Sequence, residues 1–257
     1  MTSTQFEIFS DFRNEFSAYC KELNEKYSEL LKPLQLAARL KDTPDYPLEN
    51  ALVYNTALDE ITQDSDIRLI VIGDNPGKDE QREINKKYLV GQSGKIALGF
   101  FEKHPDFQTD FRKNVIILNK TPVHTAKTSH LKSLAKEGGQ EIKKLLDESQ
   151  IFMAEKTAAL HQDLCRASSG ESPLPELWLV GYGELKGKKG IFLPYKSTLK
   201  QAYENNPAAW DKVFVFQHFS MNRFSIDLKN HMARNKGLGV VEAAHDLGNI
   251  HKKEIFG

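Results

Sequence analysis

Polar side chains that can perform chemistry follow three of the most apolar runs in the sequence. Asp74 and Asn75 come directly after one run, Asn119 ends a second run, and His218 follows a third. A carboxylate and an imidazole can exchange protons with a substrate, and a side-chain amide can both donate and accept hydrogen bonds. Brought together, these four residues would be a stronger sign of a functional site than any one of them alone.

The apolar runs predict the elements that would position these residues. Each run is apolar throughout rather than alternating, which is typical of strands covered on both faces of a parallel sheet. The segments between the runs are long enough for crossover helices. The sequence therefore predicts an α/β fold, a three-layer α/β/α sandwich around a central, mainly parallel four-stranded sheet. The expected strands are residues 67–73, 114–119, 176–181 and 212–217, with crossover helices within 95–103, 131–164 and 198–205.

The predicted sheet would bring the polar residues to one edge. Ligands of such sheets bind outside the carboxyl ends of the strands. That rule gathers the loops that begin at Gly73, Asn119, Gly181 and Gln217. We therefore expect the carboxylate, the amides and the imidazole to surround a single pocket.

The first 60 residues have a different pattern. Apolar side chains recur every three or four residues between positions 5 and 40, which predicts one long amphipathic helix or two shorter ones, interrupted at Pro33. A Pro-rich connector at 41–50 precedes a second predicted helix at 52–61. Nothing marks a domain boundary, so we expect a single domain over 1–257, with 1–60 as an N-terminal helical extension packed on the sheet.

Composition excludes several classes of protein. The chain has 257 residues, is 40% hydrophobic and has a formal net charge of zero, so it can bury a core and lacks the basic excess of most dedicated nucleic-acid domains. No apolar run approaches the roughly 18 residues of a membrane span, and we expect no secretory signal. The two cysteines cannot supply a four-thiolate cluster. We expect a cytoplasmic monomer that uses no cofactor and binds no membrane.

Neither a phosphate-binding loop nor a metal site is predicted. Gly73 is separated from Gly77-Lys78 by three residues instead of the four of a Walker A loop, and Asp79 stands where a hydroxyl residue is required. The histidines are scattered without partners at metal-ligand spacing. The sequence therefore argues against a nucleotide hydrolase and against structural or catalytic zinc.

Several motifs, in chain order, resemble those of the uracil-DNA glycosylase superfamily. "GDNPG" (73–77) is similar to the GEAPG and GINPG variants of the first motif, and "YLVGQSGK" (88–95) is similar to the PFVGRAG segment of the GEAPG branch. "VIILNKTPVHTAKTSH" (115–130) resembles the LLLNxxLTV segment of the uracil-specific enzymes, and "HFSMNRFS" (218–225) resembles their HPSPLS loop. The resemblance spans residues 67 to 225, and the ordered set is more specific than any single motif.

The resemblance implies a monofunctional DNA glycosylase that hydrolyses the N-glycosidic bond of uracil or a related deaminated base during base excision repair. Its partner would be DNA that contains uracil or a mismatch, with the target base flipped into the pocket. No lysine is singled out by the motifs as an amine nucleophile, in keeping with attack by water. The alternative is a catalytically weak or inactive nucleobase- or DNA-binding module of the same fold.

The resemblance also implies a role for each polar residue. Asp74 matches an acidic residue that could act as the base, and Asn75 matches an amide that holds the attacking water, so the leading role stays open between them. Asn119 would read the edge of the base through its amide. His218 would donate a hydrogen bond to the departing base as a neutral imidazole.

Further substrate-binding residues are implied beside the first motif. Gly73, Pro76 and Gly77 belong to the motif itself, and an aromatic side chain is expected to stack on the flipped base. Spacing from Pro76 favours Tyr88 for the stacking role, whereas alignment of the following Val-Gly pair favours Leu89. We favour Tyr88.

The expected DNA contacts lie in two segments. The loop after the histidine corresponds to one that enters the minor groove, and the start of the helix after residue 90 could hold a phosphate through backbone N–H groups. The expected DNA-binding residues are Gly91, Ser93, Ser220, Met221, Asn222 and Arg223.

Three departures from the superfamily pattern bear on its application to this chain. Phe219 replaces the proline of HPS, which would alter how rigidly the histidine is held. Gly77 stands where the uracil-specific enzymes keep a tyrosine that blocks the 5-methyl group of thymine, so a mismatched or damaged pyrimidine is a further expected substrate. The iron–sulfur cluster of the GEAPG branch cannot be built from two cysteines.

Overall fold

The central sheet is wholly parallel among the described residues. The computed structural model of the protein describes residues 1–168, 174–187 and 190–257. Its four strands lie in the order β2-β1-β3-β4. The predicted α/β/α sandwich around a mainly parallel four-stranded sheet is therefore confirmed. The strands are β1 (Leu69–Gly73), β2 (Val115–Asn119), β3 (Glu176–Val180) and β4 (Val213–Phe216).

Helices occupy the connections before, between and after the strands. Short 3-10 turns lie at Thr56–Glu60, Pro105–Phe107 and Ser220–Asn222. The α-helices are α1 (Ser3–Leu40), α2 (Gln92–Lys103), α3 (His130–Glu137), α4 (Gly139–Arg166), α5 (Tyr182–Lys186), α6 (Leu193–Ala202), α7 (Pro207–Trp210), α8 (Arg223–Arg234) and α9 (Val240–Phe256).

Two groups of helices cover the sheet. In one group α1 packs against α3 and α4, and α4 packs against α6. In the other group α8 packs against α9, which contacts β4. Aromatic rings join the second group and α2 to the sheet, because buried Trp178 of β3 lies 5.6 Å from the ring of Phe101 on α2 and 5.8 Å from that of Phe224 on α8. The burial of such large rings is a major source of stability.

The N-terminal helix runs through Pro33 without a break, so the predicted interruption is wrong. A proline inside a helix removes one hydrogen bond and costs about 3 kcal/mol. Here the buried stripe continues on both sides of the proline, through Leu31, Gln35 and Ala38. Each buried leucine-sized side chain contributes about 2 kcal/mol, so packing against α3 and α4 offsets the loss.

The helix predicted at 52–61 is also wrong, apart from the short turn at Thr56–Glu60. Leu52 instead forms an isolated antiparallel bridge with Val123, and the Val53 N–H donates to the Pro122 carbonyl at 2.9 Å. Residues 51–53 are all buried, so this segment needs backbone partners in an extended form. It finds them in the chain that follows β2.

The strand register aligns the carboxyl ends of the first two strands. Gly73, the last residue of β1, is paired with Asn119, the last residue of β2. β1 also pairs with β3, so the chain leaves β1 towards β2 on one side and later returns to β3 on the other. Such a reversal of strand order creates a crevice beside the strand ends.

Within 1–168, 174–187 and 190–257, no helix combines the length and the apolar character that crossing a membrane requires.

Candidate active site

A cavity of about 450 Å³ lies at the carboxyl ends of the strands. Its walls include Asp74, Asn75, Asn119 and His218, so the structure brings the four polar residues together as predicted. The volume falls within the range of small-molecule sites. Five further residues with predicted roles line the same cavity, namely Gly77, Ser93, Ser220, Met221 and Arg223.

Asp74 is paired with a lysine that the sequence analysis did not identify. Lys120 Nζ lies 2.6 Å from Asp74 Oδ1 and also donates to the carbonyls of Val180 at 2.7 Å and Gly73 at 3.2 Å. The Lys120 side chain is 0% exposed. Burial lowers the pKa of Lys120 and the adjacent carboxylate opposes that shift. The ammonium thus ties the ends of β1 and β3 to the carboxylate.

Gly181 gives Asp74 the space that it occupies. The residue has a φ of +104°, and a Cβ atom there would lie 2.3 Å from Asp74 Oδ1. Only glycine meets both conditions without strain. The other carboxylate oxygen accepts a hydrogen bond from Thr128 Oγ1 at 3.3 Å. Each oxygen of Asp74 is therefore held by a hydrogen bond, one from Lys120 and the other from Thr128.

Asn75 is held by its amide nitrogen. Nδ2 donates to Thr125 Oγ1 at 2.9 Å, and to the carbonyls of Thr125 and Pro76 at 3.2 Å. Among the described residues, no side chain or backbone group donates a hydrogen bond to Asn75 Oδ1. The amide oxygen is thus available to a water molecule or a ligand in the cavity.

Asn119 presents an unsatisfied donor. Its side chain is buried and lines the cavity, and its Nδ2 finds no hydrogen-bond partner in the described part of the chain. A buried donor without a partner costs about 1–3 kcal/mol, which a ligand acceptor would recover. Gly73 lies directly behind it, because a Cβ there would be 2.3 Å from Asn119 Oδ1. Gly73 itself is absent from the cavity wall and acts through this close approach.

His218 has a defined tautomer. The backbone N–H of Ser220 donates to His218 Nδ1 at 3.1 Å, and the Ser220 hydroxyl lies 2.9 Å from the same nitrogen. Because Nδ1 accepts a hydrogen bond, the neutral ring carries its proton on Nε2. Burial lowers the pKa of His218 and nearby Lys120 acts in the same direction, against Asp74. At neutral pH the imidazole is a neutral Nε2–H donor.

Phe219 anchors this loop in place of the proline of the superfamily pattern. The side chain is fully buried, 5.0 Å from the ring of Phe224 and 6.2 Å from that of Phe111. Burial of this large ring attaches the loop to the core.

Tyr88 is not placed to stack on a base, so that prediction is corrected. The ring is buried away from the cavity, and its hydroxyl donates to the Val53 carbonyl. Leu89 lines the cavity instead, with a left-handed φ of 50°. The Arg112 guanidinium donates to the Leu89 carbonyl and helps to hold this conformation. The polar end of the tyrosine needs a buried partner, and the extended segment at 51–53 supplies one.

Glu80, which lines the cavity, is a second residue that sequence reasoning missed. Its carboxylate accepts hydrogen bonds from the N–H groups of Gly77 at 3.2 Å and Leu89 at 3.0 Å. Burial raises the pKa of Glu80 to about 7, although these two N–H groups oppose the shift. The side chain thus joins the first loop to the segment that carries Leu89.

The ionisation of Glu80 predicts a pH-dependent stability. Because the folded pKa is raised from 4.5 to about 7, the free energy of unfolding should fall as pH rises between these values and level off above them. The loss is about 3 kcal/mol. Glu80→Gln should remove this component, as measured by urea unfolding at pH 5 and pH 8. An exposed control on α1, Glu25→Gln, should retain it, and a Glu80→Gln profile parallel to wild type would contradict the assignment.

The remaining predicted residues lie beside the cavity rather than in its wall. Pro76 contributes its carbonyl to the hydrogen bonds of the first loop. Gly91 precedes α2 at its N-terminus, and Asn222 precedes α8 in a left-handed conformation with a φ of 57°. Met221 and Arg223, on either side of Asn222, are exposed at the rim of the cavity.

The donor groups of the site do not form a metal-ligand set. Among the described residues, no group of three or more His, Cys, Asp or Glu side chains is placed to hold a metal ion. The polar groups of the cavity wall include the Asp74 carboxylate of the buried ion pair, the Glu80 carboxyl, the amides of Asn75 and Asn119, and the neutral imidazole of His218.

Two sequence signals could have identified the missed residues. Lys120 directly follows the last residue of a buried strand and precedes Thr-Pro-Val. Its neighbours on both sides therefore offer few charged residues that would indicate an exposed segment. Glu80 lies within the segment that continues the first motif. In both cases the side-chain type argues for exposure, because lysine and glutamate are rarely buried without a partner.

Comparisons of the chain with protein-family models, with curated proteins and with solved structures found no match.

Proposed function

We propose that the protein is a monofunctional DNA glycosylase that releases uracil or a related deaminated pyrimidine by water attack. The observation that carries the proposal is the buried, unpaired amide nitrogen of Asn119 in the same cavity as Asn75 and His218. Cleavage of an N-glycosidic bond needs a water on the sugar side and hydrogen-bond donors on the base side. The cavity wall offers the amide oxygen of Asn75 to hold such a water, and Asn119 and His218 as donors.

Base recognition is assigned to Asn119. An amide offers one donor and one acceptor, which matches O4 and N3–H of uracil. The unpaired Nδ2 would donate to O4, while Oδ1 would accept from N3–H. Leu89, rather than an aromatic ring, would pack against the flat face of the base from the cavity wall.

The departing base is assigned to His218. Negative charge develops on the base as the bond breaks, and a preorganised donor stabilises it without reorganisation. The Ser220 N–H holds Nδ1 as an acceptor, which leaves Nε2–H as the group that would meet the oxygen of the leaving base. A neutral donor leaves the base as an anion and needs no proton transfer.

Two roles on the sugar side of the bond are assigned to Asp74 and Asn75, the first two polar residues of the loop. The ammonium of Lys120 lies 2.6 Å from Oδ1 of Asp74 and fixes the position of this carboxylate. We assign it the electrostatic stabilisation of the positive charge that develops on the sugar. Asn75, whose amide oxygen is available, would hold the attacking water.

Contacts to DNA are assigned to the rim. Met221 is 76% exposed beside the cavity and is large enough to occupy the gap left by a flipped nucleotide. Arg223 lies on the same rim and would meet a phosphate. Ser93, near the start of α2, would add a phosphate contact from the other motif.

The decisive experiment is a time course of base release by the purified protein. Oligonucleotides containing uracil, hypoxanthine, xanthine or a mismatch should be tested in single and double strands, with alkaline cleavage at abasic sites as the readout. Release of uracil is the expected result. Absence of release from all substrates would refute the enzymatic proposal, and binding without release would favour a nucleobase-binding module instead.

Asn119→Asp tests the reading role. A carboxylate offers acceptors only, so it would repel O4 of uracil and the rate of uracil release should fall by about 10²-fold or more. Asn14→Asp, an exposed substitution on α1 with the same change of charge, is the control and should act like wild type. Unchanged preference for uracil over cytosine in Asn119→Asp would remove this residue from base recognition.

A further inference from the structure

His124 is a buried histidine that supports the first loop from behind. Its Nδ1 lies 2.8 Å from the Pro76 carbonyl, and its Nε2 lies 2.8 Å from the Tyr46 hydroxyl. Because a carbonyl can only accept, Nδ1 carries the proton and Nε2 accepts from Tyr46. Burial lowers the pKa of His124 to about 4, so the ring is neutral at neutral pH. Its tautomer is the opposite of that of His218.

The segment that contains Tyr46 is bonded to the continuation of the same loop. We call residues 46–51 the brace. The fully buried Gln81 accepts from the N–H groups of Glu49 at 2.7 Å and Asn50 at 3.0 Å. Gln81 Nε2 donates to the Pro47 carbonyl at 2.7 Å, and Asn50 Nδ2 donates to the Gln81 carbonyl at 2.8 Å. The brace is therefore bonded to the segment that continues the first loop.

The long N-terminal helix fixes the brace in turn. Gln35 of α1 is buried, and its Nε2 donates at 2.8 Å to the carbonyls of both Ala51 and His124. Arg39, one turn further along, donates to the Tyr46 carbonyl. A continuous series of hydrogen bonds thus runs from α1 through the brace and the imidazole to the Pro76 carbonyl.

We propose that Tyr46 and His124 are positioning residues for the hydrolysis, acting through the Pro76 carbonyl on Asn75. The inference rests on the proposed function. The Pro76 carbonyl accepts from three donors, His124 Nδ1, the Thr125 N–H at 3.2 Å and Asn75 Nδ2 at 3.2 Å. Its orientation therefore keeps Nδ2 of Asn75 turned inward and Oδ1 free for water. Residues of the N-terminal extension are in this way part of the catalytic apparatus.

Three variants separate positioning from folding. His124→Phe removes both ring hydrogen bonds, Tyr46→Phe removes only the outer one, and His124→Asn restores a donor near the position of Nδ1. Single-turnover release from a uracil-containing single strand should fall by about 10- to 100-fold in His124→Phe, with DNA affinity unchanged. The rate should fall less in Tyr46→Phe than in His124→Phe, and His124→Asn should recover most of the wild-type rate. Tyr54→Phe, whose hydroxyl bonds to Asp59, is the matched control.

A second readout needs no substrate and is independent of activity. Nitrogen-15 NMR of the full chain should show His124 protonated on Nδ1, and the side-chain amide signals of Asn75 should shift in His124→Phe and return in His124→Asn. Unmoved Asn75 signals in both His124→Phe and Tyr46→Phe would overturn the inference, as would an equal loss of rate and affinity. If the wild type releases no base but the Asn75 signals move as expected, the positioning of Asn75 by Tyr46 and His124 is supported and the proposed function fails.

Discussion

Lys120→Met is expected to lower the free energy of unfolding by about 3–5 kcal/mol. The variant keeps a similar side-chain volume but leaves the carboxylate of Asp74 buried without its cation, because the lysine is 0% exposed and lies 2.6 Å from that carboxylate. It also leaves the carbonyls of Gly73 and Val180 without the donor that they share. Urea unfolding at pH 7, followed by circular dichroism, measures the loss.

Two further variants identify the cause of that loss. The double variant Lys120→Met/Asp74→Asn removes both charges and should recover a large part of the stability, since an uncompensated buried charge is costlier than a neutral pair. Lys144→Met breaks an exposed pair with Glu148, 3.6 Å apart, and should change stability by less than about 1 kcal/mol. A comparably small loss in Lys120→Met would show that the ion pair does not hold the strand ends.

The second large effect is expected in catalysis. His218→Ala should slow the single-turnover release of uracil by about 10²- to 10³-fold, because it removes the one imidazole donor in the described cavity wall. Affinity for uracil-containing DNA should stay within a few-fold of wild type, since the role proposed for His218 concerns charge that develops only as the bond breaks. Rapid quench at saturating enzyme gives the rate, and fluorescence anisotropy gives the affinity.

A conservative replacement makes this prediction sharper. His218→Gln offers an N–H donor at a position close to that of Nε2, so it should recover part of the rate that His218→Ala loses. Equal rates for the two variants would argue against hydrogen-bond donation. An equal loss of rate and affinity in both would instead assign the histidine to the shape of the loop that Ser220 and Phe219 hold.

The strand positions and the convergence of the polar residues were accessible from sequence because both depend on short-range signals. A run such as 67–73 is too apolar for a half-exposed strand, and the parallel arrangement then requires its polar successor to lie beside those of the other strands. The pairing of Gly73 with Asn119 follows the same logic. These features needed no knowledge of contacts between distant side chains.

The features that could not be predicted depend on long-range partners. Pro33 is tolerated because α3 and α4, about a hundred residues later in the chain, bury the helix on both sides of it. Tyr88 turns away from the cavity because Val53 offers its hydroxyl an acceptor. Lys120 is buried because three acceptors at the ends of β1 and β3 meet it. Residue type and spacing contain none of this information.

The loop at the rim of the cavity holds two successive residues in the left-handed region, Met221 with a φ of 54° and Asn222 with a φ of 57°. Such residues each carry a conformational cost of about 1–2 kcal/mol, which the burial of Phe219 and Phe224 on either side outweighs. The loop therefore acquires its shape when the protein folds rather than when it binds a ligand. Under the proposed function, a DNA duplex would meet a loop that already has its shape, so ordering this loop would not subtract from the binding energy.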